Sequence, residues 1–149
     1  MRSNNTRFEK EVVLKLINHC DCSDKQVICD IVRSAFTSLD ENIKNSDFVK
    51  SKLFFSFTAE KQLSEYGKGY QREIFCENVI NGKSIAAGER YRYYKIIPAE
   101  EDGRVKKFAT DGQYELDIAK YKESLWNCIE PIVETYGFDI KVLKEFIFG

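Results

Sequence analysis

The stretch RYRYYKIIPAEEDGRVKKFAT, residues 90–110, decides how the whole chain is read. RYRYYKII (90–97) and RVKKFAT (104–110) are rich in aromatic and β-branched residues, and PAEEDG between them is a turn-forming connection. Two strands so joined form an antiparallel pair. Alternation puts Arg90, Arg92 and Tyr94 on one face of the first strand and Tyr91, Tyr93 and Lys95 on the other.

Upstream, the pattern is helical. All eight glycines lie at or after Gly67 and both prolines at or after Pro98, so the first 66 residues lack the usual breakers. Phe8, Val12, Val13, Leu16, Ile17 and Cys20 recur on one helix face. Val27, Ile28, Ile31, Val32, Ala35, Phe36, Leu39 and Ile43 form a second, broader stripe reaching about Lys44. SKLFFSFT (51–58) then alternates as a strand. TAEKQLSEYG (58–67) reads as a short helix stopped by Gly67, and QREIFCENVI (71–80) as a strand ending in an Asn81-Gly82 hairpin turn. Downstream, Ile118, Tyr121, Leu125, Ile129, Ile132 and Tyr136 mark another helix, which Pro131 is expected to kink or divide. In FDIKVLKEFIF (138–148), alternating apolar residues favour a last strand, with a helix capped by Asp139 as the competing reading. The expectation is a single α+β domain over residues 1–149. It is an antiparallel β-meander with two N-terminal helices and a C-terminal helix packed on it.

The composition excludes several classes. A 43% hydrophobic and 32% charged chain of 149 residues is globular and needs no metal or disulfide staple. Five cysteines in no paired spacing point to free thiols in a reducing, cytoplasmic setting. No apolar run has the length of a signal peptide or membrane span, so no membrane partner is expected. Residues 59–110 hold ten Lys/Arg against eight Asp/Glu, and residues 111–149 four against eight. That asymmetry is too weak to announce nucleic-acid binding by charge alone.

NHCDCSDKQVIC (18–29) gathers His19, Cys20, Cys22 and Cys29. A zinc site needs four converging ligands, yet adjacent His19 and Cys20 point about 100° apart on a helix. The thiols read better as small hydrophobes at a helix-helix turn, with Ser23 and Gln26 as a capping box and Cys22 with Val27 as its hydrophobic staple. No metal or other cofactor is expected. EYGKGYQR (65–72) lacks phosphate-loop spacing and reads as a helix stop with a flexible turn. Cys76 and Cys128 fall where apolar packing is expected and have no histidine partner.

Two functional readings follow. Arg90, Arg92, Tyr93, Tyr94, Lys95, Arg104, Lys106 and Lys107 form a basic, tyrosine-rich sheet region suited to an acidic protein surface, a nucleotide-like ligand or nucleic acid. A small non-enzymatic binding protein that occludes or sequesters such a partner is the leading reading. It is a type known among inhibitors, immunity proteins and anti-defence proteins, though that analogy rests on size and motif poverty alone. The competing reading is a metal-dependent phosphodiester or nucleotide enzyme using Asp139 and Lys141, because Asp-x-Lys on a core strand can hold Mg²⁺ and orient water. Tyr121, Trp126 and Tyr136 are also large enough to anchor a homo-oligomer, although burial within one chain accounts for them more simply.

Overall fold

The computed structural model describes residues 5–19, 25–58, 90–101, 103–110 and 114–148, with the side chains of Phe57, Thr58 and Arg104 left aside. The expected helix over 58–67, the strand over 71–80 with its hairpin turn, and the Cys20–Ser23 turn lie outside these residues. Helix α1 (Arg7–Ile17) opens on a capping box. The Thr6 hydroxyl accepts from the Glu9 amide at 3.2 Å, and the Glu9 carboxylate accepts from the Thr6 amide at 2.9 Å. Helix α2 (Lys25–Asn42) buries Ile28, Val32, Ala35, Phe36 and Leu39, which is the predicted stripe. Helix α3 (Ser46–Lys52) was not legible as a separate element. Its start is set by the Asn45 side chain, which accepts from the amides of Asp47 and Phe48. The strand read from Ser51 therefore begins only at Phe55, as β1 (Phe55–Thr58).

Strands β2 (Arg90–Glu101) and β3 (Arg104–Ala109) form the predicted antiparallel hairpin, but β2 continues past Ile97 through most of the PAEEDG connection, leaving a tight turn with Gly103 at φ 75°. Glycine carries that left-handed conformation without a Cβ clash. The sheet order is β1-β2-β3, with Phe55 opposite Tyr93 on one side of β2 and Lys95 opposite Phe108 on the other. The register shifts between Lys95 and Ala99. There Ile96 bridges instead to Leu116, and the Ile97 amide donates to the Glu115 carbonyl at 2.9 Å.

Helix α4 (Ile118–Thr135) continues through Pro131, which does not divide it in two. The proline is exposed, so its ring meets solvent and packing on the other face carries the helix past the missing amide. Gly137 at φ 83° then turns the chain. Residues 140–148 form helix α5 (Ile140–Phe148), which corrects the preferred strand. Asp139 accepts from the amides of Lys141 and Val142, and Leu143 enters the core. Phe148 packs edge-on to Phe36 with centroids 4.8 Å apart. A helix lets Leu143 and Ile147 share one face, whereas a strand would need a neighbour that this end of the chain does not meet among the described residues.

The helices and the sheet share one core. Leu16, Ile28, Leu39, Leu125 and Ile129 are fully buried between α1, α2 and α4, each contributing about 1.5–3 kcal/mol of transfer free energy. The large rings of α4 are used inside the chain. Tyr121 and Trp126 are buried, and the Tyr136 hydroxyl donates to the Leu16 carbonyl at 2.6 Å.

Candidate binding face of the sheet

The basic cluster divides by the alternation of β2 and the pairing of β3. Arg90, Arg92 and Tyr94 share one face of β2, and the opposition of Tyr94 with Ala109 places Lys107 on that same face. Tyr91, Tyr93, Lys95, Lys106 and Phe108 share the other, and both faces contribute to the core, since Tyr94 and Ala109 on the first are buried as well.

On the first face the cations are held in place. The Arg92 guanidinium lies 4.1 Å over the Phe54 ring, and Arg90 Nε donates to the Ser56 hydroxyl at 2.9 Å. Both arginines and Lys107 are exposed. A planar guanidinium stacked on a ring keeps its donors directed outward, and it loses less rotamer entropy when an anion arrives. The sheet folds this way because LFFSF places Phe54 and Phe55 on opposite faces. Phe55 stacks on Tyr93 in the core with centroids 5.6 Å apart, while Phe54 supports Arg92.

The remaining predicted residues serve otherwise. Tyr93 and Tyr94 are buried, so their rings support the sheet from within. Lys106 donates to the Tyr114 hydroxyl at 3.1 Å and lies 3.8 Å from the Glu101 carboxylate. Tyr114 in turn donates to Glu101 at 2.6 Å, a bond that raises the phenol above its ordinary pKa. The Lys106 charge is thus matched within the hairpin. Lys95 is half-buried beneath the sheet, its ammonium 4.4 Å over the Phe55 ring, and burial lowers its pKa. The Arg104 backbone stands opposite Glu101 at the hairpin end of β3. Phe54 and Ser56, which position the two arginines, were missed because position alone does not distinguish a supporting ring from a core ring.

The other candidates have local roles. His19 is exposed at the end of α1, with Nδ1 2.8 Å from the Lys15 carbonyl. Asp139 caps α5, so the Asp-x-Lys pair stands at a helix start instead of on a core strand. Among the described residues no three His, Cys, Asp or Glu side chains converge as a metal site would require. Burial raises the Cys29 thiol and pushes Cys128 up to about 12, which disfavours the thiolate a nucleophile needs. No helix among the described residues is long and apolar enough to cross a membrane. Compared with known proteins, the chain matches no family and no curated sequence.

Proposed function

We propose that this chain is a small binding protein without catalytic activity. It occludes or sequesters an anionic partner through the exposed cations of the arginine-bearing face of β2 and β3. The observation that carries the reading is the pair of exposed guanidiniums fixed in advance, Arg92 on Phe54 and Arg90 on Ser56. Lys107 stands on the same face of the neighbouring strand and extends the charge. Carboxylates of an acidic protein surface and phosphates of a nucleotide-like ligand or nucleic acid present the same chemistry to such a fork. Tyr93 and Tyr94 stiffen the strand that carries the arginines.

Fluorescence anisotropy with a labelled polyglutamate peptide and a labelled single-stranded oligonucleotide tests the proposal and identifies the class of anion. Combining Arg90→Glu with Arg92→Glu should weaken the preferred probe by at least about tenfold, as expected when charge-assisted bonds become repulsive. A folded double variant that binds both probes as well as the parent chain overturns it.

A further inference from the structure

Away from this face, a groove of about 840 Å³ lies between α1 and α4, within the size range of small-molecule sites. The two helices run side by side in the same sense. Tyr136 joins their C-terminal ends through Leu16, while Lys95 sits among Glu9, Lys120 and Glu123 near their N-terminal ends. The groove is therefore graded. Lys95, Lys120, Glu123 and Ser124 line one end, where Glu123 lies 4.0 Å from Lys120 and leaves Lys95, among the described residues, as the cation without an ion pair, and Val13, Ile17 and Ile132 line the other.

The polar end is unsatisfied. Among the described residues the Lys95 ammonium meets the Phe55 ring and no hydrogen-bond acceptor. Glu9, one turn from the groove residues Asn5 and Val13, is 2% exposed; one of its carboxyl oxygens takes the Thr6 amide and the other makes no well-formed hydrogen bond. Buried polar atoms of this kind are rare, and each calls for a partner. Burial raises the Glu9 pKa, while hydrogen bonding from Ser124, itself a groove residue, and from Thr6 opposes that shift, as does the Lys95 charge. The apolar end is open, with Ile17 49% exposed.

We propose that this groove binds an amphipathic monoanion, its carboxylate on Lys95 and its hydrocarbon chain along Val13, Ile17 and Ile132. From Glu9 to Ile17 the α1 wall spans about 12 Å, room for a medium-length chain. The site is independent of the arginine face, which lies on the other side of the sheet.

Isothermal titration with decanoate, butyrate and decyltrimethylammonium tests the proposal. Decanoate should bind at least about tenfold more tightly than either of the others, because only it matches both ends of the groove. Lys95→Met should cost decanoate about tenfold, and Ile17→Glu, at a half-exposed position outside the buried core, should weaken it similarly. Arg92→Glu should leave it unchanged, separating this site from the proposed partner face. No heat with decanoate, equal binding of the three probes, or unchanged affinity in Ile17→Glu overturns the proposal.

Discussion

The Tyr121 hydroxyl donates to the backbone carbonyl of Leu53 at 2.9 Å, from a ring that is 2% exposed. Its oxygen also accepts from the Lys95 amide at 3.3 Å. Extending the pairing of Phe55 with Tyr93 by two residues brings Leu53 opposite Lys95. One phenol from α4 thus takes the place of a ladder hydrogen bond where β1 ends. It satisfies a buried carbonyl and amide together and ties helix to sheet.

Tyr121→Phe keeps the ring and removes that bridge. Leaving the two backbone groups unpaired should cost about 1–3 kcal/mol, read as a lower urea midpoint at unchanged slope. A variant with the parent's midpoint would show that the bridge contributes nothing to stability.

Glu9 makes stability depend on pH. Desolvation raises its folded pKa above the ordinary 4.5, so just above pH 4.5 the folded chain holds a proton that the unfolded chain has lost. The contribution is fully present below the unfolded pKa and is lost as pH rises through the folded one. Glu9→Gln does not titrate, so its urea midpoint should gain on the parent's across that window. A difference between the two chains that stays flat with pH contradicts this account.

Pro131 deprives the Asn127 carbonyl of an intrahelical donor inside α4. Pro131→Ala restores the amide at an exposed position and should stabilise the chain by about 1–3 kcal/mol, reduced by the greater freedom of the unfolded alanine chain. Thermal unfolding checks it. An unchanged or lower Tm would mean that the proline suits its place in the helix.

Cys128 should resist alkylation. Its thiol is pushed up to about 12 chiefly by burial, so at mildly alkaline pH little thiolate is present. Iodoacetamide labelling followed by peptide mass spectrometry should show Cys128 reacting roughly a hundredfold or more slower in the folded chain than in urea. Equal rates in the two states would place the thiol at an ordinary, accessible position.

Periodicity carried the helices because burial on one side of a helix must recur every three to four residues. The stripes of α1 and α2 and the apolar face of α4 stand where that spacing put them. The hairpin of β2 and β3 was equally legible from its alternation and its turn. Short apolar runs were harder: in FDIKVLKEFIF the same residues suit a strand or a helix, and the choice rests on whether a neighbouring strand or a helical face receives them. Here α2 and α4 receive Leu143 and Phe148, and Asp139 caps the turn.

By itself the amino-acid order determined the α+β class, the buried stripes of the main helices and which β2 residues share a face, because these follow from local geometry of the backbone. Only the tertiary structure decided that Lys106 is matched by Glu101 and Tyr114 while Arg92 is held outward on Phe54. It alone brought Lys95 beside Glu9, which lies 86 positions earlier. Partners so distant in sequence leave no spacing to read, since packing of one element on another sets which charges meet and which face solvent.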